Sequence, residues 1–446
     1  MNRPHRLFGT DGIRGAFGTA PLDEPTLVSV AHAVAAVLRE SSQESSRVVI
    51  GGDTRQSTPR ISRWIGEVLS GHGHEVLDVG TIPTPGVAHL VQQQAAQLGV
   101  VVSASHNPFP DNGIKLIGAD GFKFSDALEE RIEQLVAEGA STTDERGEPR
   151  NASDLRRRYT EHLVSSTEQS LDGMTVVLDT GHGAASALAG DVFEALGARA
   201  IVLNAAPDGR NVNAGCGSTA PELAAEAVRE HAAHIGFAFD GDADRVIMVD
   251  HEGTVRDGDE ILYLWSQALA SREALDPPRV VATSMTNLGL ERSLQESGIV
   301  VERCDVGDRA VVQTLRAQGL QLGGEQSGHI IHLDLGTTGD GLLTAVQIAA
   351  EVRRSGSSLA HLLEGFARFP QLLRNVPVHQ KPPLMDVAEI AAKAQEIERS
   401  LGDEGRLVLR YSGTESLARI MIEGPERDAI ESMAAELAVV IERSLS

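Results

Sequence analysis

Val48-Val49-Ile50-Gly51, Glu75-Val76-Leu77-Asp78-Val79 and Val100-Val101-Val102-Ser103 are three short β-branched runs, with a helical pattern after Pro59 between the first two. Such runs alternating with helices are the signature of βαβ units, whose parallel strands are buried on both faces. The same order returns at Val176 to Asp179, a helix around Ala184 to Leu196, Ala200 to Leu203 and a strand ending at Ala238 to Asp240. It returns again at Val280 to Thr283, Leu288 to Glu296, Ile299 to Cys304, a helix after Asp308 and a strand into Gly323. Three units in one order predict a diverged internal repeat. The last segment differs: a helix from about Leu384 to Leu401, strands around Leu407 to Arg410 and Ala418 to Glu423, and a closing helix after Pro425. Charged, Gly- and Pro-containing stretches at Glu138 to Arg150, His251 to Asp257 and Phe369 to Pro383 read as boundaries. The expected fold class is α/β: three similar domains with mixed, largely parallel sheets at residues 1–150, 151–253 and 254–368, and a smaller C-terminal α+β domain at 369–446.

Composition narrows the partners. A chain of 446 residues exceeds one ordinary core, and 39 basic against 63 acidic residues give a net charge of −24. That field repels nucleic acid and anionic membrane surfaces, so neither is an expected partner, and an anionic ligand must meet a local cluster of Arg and Lys. The longest apolar runs, such as Leu98 to Val102, fall far short of the roughly 20 residues of a membrane span, and the N-terminus lacks a signal-peptide core. A cytoplasmic location is expected. Cys216 and Cys304 form neither a disulfide framework nor a C-x-x-C pair and read as small buried hydrophobes.

Four loops carry chemistry. Asp240-Gly241-Asp242-Ala243-Asp244-Arg245 places three carboxylates at alternate positions after a buried strand, an oxygen-rich set suited to a hard cation such as Mg²⁺. An EF-hand starting at Asp240 would need Gly and Glu where Arg245 and His251 stand, which excludes it. An acidic solvated turn is the bland alternative, but three carboxylates this close repel one another without a positive charge among them. Ser103-Ala104-Ser105-His106-Asn107-Pro108 follows a strand, where ligands bind in open α/β sheets, although Asn-Pro is also a plain turn signal. Gly324-Glu325-Gln326-Ser327-Gly328-His329 offers groups able to grip sugar hydroxyls and move a proton, or is simply a turn. Arg410-Tyr411-Ser412-Gly413-Thr414-Glu415, with Arg419 beyond, is a plausible phosphate cradle. Neither G-x-S-x-G, G-x-x-x-x-G-K-[ST] nor G-x-G-x-x-G occurs at these loops, so acyl transfer, ATP and NAD are unsupported.

Together, in this order and spacing, the four loops resemble those of the α-D-phosphohexomutase superfamily, and within it the branch acting on glucosamine phosphates. The likeness runs from Phe8-Gly9-Thr10-Asp11-Gly12-Ile13-Arg14-Gly15 to the Arg410 loop. It implies a heart-shaped enzyme whose four domains surround one cleft. Ser105 would carry the phosphoryl group and, with Asp240, Asp242 and Asp244, bind Mg²⁺. Arg14, His106, Arg245 and Lys115, from Asp111-Asn112-Gly113-Ile114-Lys115, would surround the transferring phosphate. Glu325 and Ser327 would select the sugar, with His329 as a proton carrier. Arg410, Ser412, Gly413, Thr414 and Arg419 would hold the non-reacting phosphate. Gly307-Asp308-Arg309 completes a third-domain loop of the family, with no role assigned to Arg309.

The implied reaction interconverts glucosamine 6-phosphate and glucosamine 1-phosphate through a bisphosphorylated sugar, feeding amino-sugar nucleotide and cell-wall precursor synthesis. A glucosamine or glucose 1,6-bisphosphate would prime Ser105, and a homodimer is admissible. Three positions depart from the family pattern: Ala243 for a common Gly, Ser416 for a common Pro, and Thr180-Gly181-His182 for a common Cys-Ala-Asn. If position 243 needs φ > 0, Ala243 carries strain. Ser103-Ala104-Ser105-His106-Asn107-Pro108 and Gln326 favour glucosamine. The alternatives are the same chemistry on mannose or glucose phosphate, a metal-dependent sugar-phosphate phosphatase, and a non-catalytic sugar-phosphate binder.

Overall fold

A computed structural model describes residues 7–41, 45–139, 142–412 and 416–445. In the first sheet the strands lie in the order Ile13–Ala16, Asp111–Gly118, Leu98–Val102, Arg47–Gly52, Glu75–Thr81, Arg150–Asn151. The second runs Val255–Arg256, Val246–Asp250, Ile235–Phe239, Thr175–Asp179, Arg199–Leu203, and the third Val300–Cys304, Arg279–Thr283, Leu322–Gly324, Ile330–His332. Parallel strands form the middle of each, as the β-branched runs predict, and every residue of Leu98–Val102 and Ile235–Phe239 is buried.

The three sheets share one device. A buried strand pointing toward the cleft ends in a loop, and the chain returns as an antiparallel neighbour: Leu98–Val102 with Asp111–Gly118, Ile235–Phe239 with Val246–Asp250, Leu322–Gly324 with Ile330–His332. The loops so formed hold Ser105, the Asp triad and Glu325 to His329 respectively. One apolar cluster runs through all three units, joining Val49 and Leu77 to Val176 and Phe237 and on to Trp265 and Val280. The fourth sheet, Gln371–Pro377, Leu417–Glu423, Arg406–Tyr411, is antiparallel and has its own core around Ile390, Ile420 and Leu437. Among the described residues no helix is long and apolar enough to cross a membrane.

Local departures from the sequence reading have tertiary causes. The stretch from Ala184 to Leu196 is a 3₁₀ turn, Ala184–Ala187, followed by a short helix, Ala189–Ala195. Its start is pinned to the second-sheet loop, where Ala184 N–H donates to the Gly241 carbonyl at 2.8 Å. Phe369 to Pro383, read as a boundary, contains the strand Gln371–Pro377, paired along its length with Leu417–Glu423. Only Val376 of that strand is buried, so it lacks the alternation that marks a half-buried strand. The helix expected from Leu384 begins at Ala388, after a 3₁₀ turn at Leu384–Asp386.

Arg309 is a clip between domains. From the third unit it donates to Glu129 Oε1 at 2.8 Å and to the Phe124 carbonyl at 3.2 Å, and it pairs with Asp126, all three in or beside the first-unit helix Asp126–Glu138. Glu129 is 4% exposed, so losing the guanidinium removes charge-assisted hydrogen bonds from a buried carboxylate, at about 1–3 kcal/mol. Arg309→Met should therefore lower the calorimetric unfolding midpoint by a few degrees, and an unchanged midpoint would show that the clip contributes nothing.

Candidate active site

Ser105 follows the buried strand Leu98–Val102 and adopts φ +52°, a left-handed conformation that costs a non-glycine residue about 1–3 kcal/mol. The side chain that results is 1% exposed, and its Oγ donates to Asp240 Oδ2 at 2.6 Å. His106 Nδ1 lies 3.3 Å from the same oxygen and 3.4 Å from Arg245 Nη1. Burial, then the charges of Arg245 and Arg14, hold the His106 imidazole below its ordinary pKa.

Asp240, Asp242 and Asp244 are all buried, each with a carboxylate oxygen within 4.8 Å of the others. Burial, then the charges of Asp244 and Asp242, push the Asp240 carboxyl well above the usual carboxylate range. Burial also works to raise Asp242, but the Lys115 ammonium and hydrogen bonds from Thr84 and Lys115 overcome it and hold that carboxyl low. Lys115 Nζ, itself 1% exposed, meets Asp242 Oδ2 at 2.9 Å, Asp244 Oδ2 at 3.2 Å and Asp11 Oδ2 at 3.3 Å. Arg245 closes the loop, its main-chain N–H donating to Asp240 Oδ1 at 3.2 Å. Asp242 Oδ1 and Asp244 Oδ1 are buried without a hydrogen-bond partner. Orphaned hard oxygens beside a carboxylate that resists ionisation fit a divalent cation such as Mg²⁺. Ala243 has φ +52°, so this loop does hold a left-handed residue where glycine would be free of strain.

A cavity of about 460 Å³ opens beside the metal loop, with Asp244 and Arg245, Asp11, Asp308 and Arg309, and Glu325 and His329 on its walls. Arg14 pairs with Asp11, and Lys123 bridges Asp11 to Asp308. His329 is 2% exposed, with both ring nitrogens unpartnered. Its ring is crowded by Gly339, where an added Cβ would lie 2.3 Å from Nε2. The loop is aligned to the second unit, for Val246 N–H donates to the Gly328 carbonyl at 3.1 Å. Ser327 lies on the same loop but does not line the cavity.

The structure thus gathers Ser105, His106, Lys115, Arg245 and the Asp triad, and puts Glu325 and His329 on the adjoining wall. It leaves Arg410, Ser412 and Arg419 apart on the fourth sheet, off that wall. There Arg410 and Arg419 stand directly opposite on paired strands, with Arg419 Nη2 3.2 Å from Ser412 Oγ and Lys381 Nζ 3.1 Å from the Ser412 carbonyl. Like charges in register repel unless an anion lies between them. Gly413 and Thr414 fall outside the described residues.

Among the partners to which the sequence reading gave no role are Asp11, Thr84 and Asn213. Asp11 sits inside the N-terminal motif, and Gly12 beside it has no room for a side chain, since a Cβ would lie 2.2 Å from the Ile114 carbonyl. Thr84 Oγ1 donates to Asp242 Oδ2 at 2.6 Å, and Asn213 Nδ2 to the Ser105 carbonyl at 2.9 Å. Neither belongs to a recognisable motif.

The sequence matches the family described as Phosphoglucomutase/phosphomannomutase domain by domain: alpha/beta/alpha domain I over residues 5–143, domain II over 157–253, domain III over 257–369 and the C-terminal domain over 373–440. It is 44% identical to a phosphoglucosamine mutase of Anaeromyxobacter sp. (strain Fw109-5), across 99% of this chain and 96% of that protein. It is 45% identical to a phosphoglucosamine mutase of Saccharopolyspora erythraea, across 98% and 99%. A phosphoglucomutase/phosphomannomutase family protein from Burkholderia thailandensis shares the fold, with TM-score 0.82, 24% identity, and coverage of 98% of this chain and 97% of that one. So does the Aspergillus fumigatus N-acetylphosphoglucosamine mutase solved with GlcNAc-6P and magnesium, with TM-score 0.67, 16% identity, and coverage of 99% and 96%.

If the triad holds a cation, adding Mg²⁺ to chelator-treated protein raises its melting temperature, by about 2.7 kcal/mol of added stability at a hundredfold excess over Kd. Asp242→Asn should remove that increment, and equal Mg²⁺ shifts in both proteins would place the ion elsewhere.

Proposed function

The chain belongs to the phosphoglucomutase/phosphomannomutase family, the α-D-phosphohexomutases, and from that premise we propose that it interconverts glucosamine 6-phosphate and glucosamine 1-phosphate through a phosphorylated Ser105. The reading rests above all on one contact, the Ser105 hydroxyl held 2.6 Å from Asp240 at the edge of the Asp triad. The sugar follows from the relatives named phosphoglucosamine mutase that share 44–45% of the sequence along nearly the whole chain.

Phosphate monoesters are among the slowest bonds to break unaided, so stabilisation of charge in the transition state must dominate. Asp240, Asp242, Asp244 and the Ser105 oxygen would hold Mg²⁺, which when bound neutralises negative charge on the transferring group. Arg14 and Lys115 contact the phosphoryl oxygens. The Oγ–P bond of phosphoserine breaks as the free sugar hydroxyl forms its own O–P bond, and the hydroxyl proton passes to a base. His329 suits that task, being on the cavity wall with both ring nitrogens unpartnered. The bisphosphate then turns in the cleft, and its other phosphoryl group returns to Ser105. Glu325 and Ser327 engage the sugar in both orientations, while Arg410, Ser412, Gly413, Thr414 and Arg419 hold whichever phosphate is not reacting.

A hexose 1,6-bisphosphate would restore a Ser105 that had lost its phosphate to water. Charged sugar phosphates do not cross membranes unaided, which fits an enzyme working in the cytoplasm.

Ser105→Ala should reduce isomerisation to the uncatalysed background while leaving the circular dichroism spectrum unchanged; near-normal turnover would overturn the phosphoserine mechanism. Among substrates, glucosamine 6-phosphate is expected to give a higher kcat/KM than mannose 6-phosphate in the presence of Mg²⁺ and a bisphosphate primer. The reverse order would move the protein to the other branch, and release of inorganic phosphate in place of isomer would mark a phosphatase.

A further inference from the structure

Arg55 lies in the turn after the strand Arg47–Gly52 and is 1% exposed. A guanidinium carries five N–H donors in one plane. Here they reach five oxygens: Nε donates to Asp53 Oδ2 at 2.8 Å, Nη1 to the carbonyls of Pro108 at 2.7 Å and Asp111 at 3.0 Å, and Nη2 to those of Ser105 at 2.9 Å and Asn107 at 2.7 Å. Three of these carbonyls belong to the loop that bears Ser105, and the fourth, that of Asp111, begins the strand that follows it. Asp53 continues the connection from the other side. It accepts from Ser103 Oγ at 2.6 Å, and Ser103 Oγ accepts in turn from the Ser105 N–H at 2.8 Å. Both polar groups of the Ser105 backbone are therefore tied to a single buried ion pair.

Stability alone explains this poorly. A buried ion pair is often no better than well-packed apolar side chains of the same volume, since desolvating both charges offsets most of their attraction. What the pair adds is geometry. Ser105 has φ +52°, a conformation the chain leaves unless its surroundings over-determine it. If Ser105 relaxed to an ordinary φ, its Oγ would swing away from Asp240. Gathering four carbonyl oxygens onto one guanidinium also points them at Arg55, so that they do not face a phosphoryl group of about −1.5 to −2 charge on the same loop. Lysine could not replace it, because a compact ammonium cannot span four carbonyls and a carboxylate.

We propose that Arg55, acting with Asp53 and Ser103, is a positioning device that locks the Ser105 loop in its left-handed form and keeps Oγ on Asp240 before and after each transfer. The inference rests on the phosphoserine reading given above. Asn213, reaching the Ser105 and Asn107 carbonyls from the second domain at 2.9 and 3.3 Å, adds a weaker hold from across the cleft.

The test is steady-state kinetics of Arg55→Lys, Ser103→Ala and Ser105→Ala in the full-length enzyme, with melting temperatures for each. Arg55→Lys should lower kcat by roughly 100-fold, the scale expected of a 1 Å misplacement, with KM for glucosamine 6-phosphate little changed. Phosphorylation of Ser105 by glucose 1,6-bisphosphate, followed by intact mass, should slow in parallel. Ser103→Ala, which leaves the ion pair whole, should show the same split in milder form. In Arg55→Ala, added guanidinium should restore part of kcat, which a role in folding alone would not permit. Normal kcat in folded Arg55→Lys and Ser103→Ala overturns the proposal, as does a loss that the unfolded fraction accounts for in full. Should Arg55→Lys not fold, Ser103→Ala decides. If Ser105→Ala remains active, it is the phosphoserine reading that fails; if Ser105→Ala is dead and both other variants are normal, the positioning device alone is wrong.

Discussion

Three buried carboxylates each bring an oxygen to within 4.8 Å of the others, and that concentration of negative charge governs its surroundings. All three are almost wholly shielded from solvent, so their repulsion is felt at a lowered effective dielectric and must be met by fixed positive charge. Lys115 is brought in from the first domain to touch Asp242 and Asp244, while Arg245 is supplied by the loop itself. Thr84, also from the first domain, donates to Asp242. Two domains are thereby joined by an electrostatic centre that neither could build alone. Two oxygens of the triad remain orphaned while the third carboxylate receives the Ser105 hydroxyl, so the place of the serine and the fit to a cation have one cause.

The repeated architecture delivers the loops to that centre. In each of the first three units a buried strand ends in a loop before the chain turns back antiparallel, so equivalent positions in the three sheets carry Ser105, the Asp triad and Glu325 to His329, which in the proposed reaction hold the phosphoryl group, the cation and the sugar. The single apolar cluster through the three units fixes their relative placement, and close backbone approaches align the loops. Gly241 shows how tight the fit is: a Cβ there would lie 2.6 Å from the Ser105 carbonyl. Substitution at that glycine would displace the loop whose position matters most.

These facts explain what the sequence could and could not reveal. The central strands of the units, such as Leu98–Val102 and Ile235–Phe239, are continuous apolar runs, because they are buried on both faces, and such runs are visible without any partner in view. The loops are equally legible, since each packs its chemistry into about six consecutive residues. The supports are not. Arg55, Thr84 and Asn213 act across dozens of residues of chain, mostly on backbone carbonyls that every residue possesses, and so leave no compositional trace. Arg309 stands in a visible motif, but its partners Glu129 and Phe124 lie in another domain. Gln371–Pro377 was hidden for the opposite reason: nearly all of it is exposed or half-exposed, so no hydrophobic period marks it. The interrupted helix at Ala184 is set by Gly241, a contact that local propensity cannot anticipate.

The fourth domain bears on why such a protein would be a mutase and not a hydrolase. Its core is separate from the one shared by the other three, and its junction with the third domain is largely polar, built on Glu423 Oε1 accepting from Leu288 N–H at 3.1 Å and on Arg406 reaching the Thr286 carbonyl. A junction of hydrogen bonds can be remade after a small rotation at less cost than a continuous apolar core. The Arg410 and Arg419 pair lies on this domain, off the wall of the cavity beside the Asp triad. In the proposed reaction a bisphosphate must be released from both phosphate sites far enough to turn, yet remain inside while it does so. A rigid fourth wall would prevent the turn and an absent one would lose the intermediate to water. A separately cored domain that carries Arg410 and Arg419, the proposed second phosphate site, and is attached through polar contacts satisfies both demands.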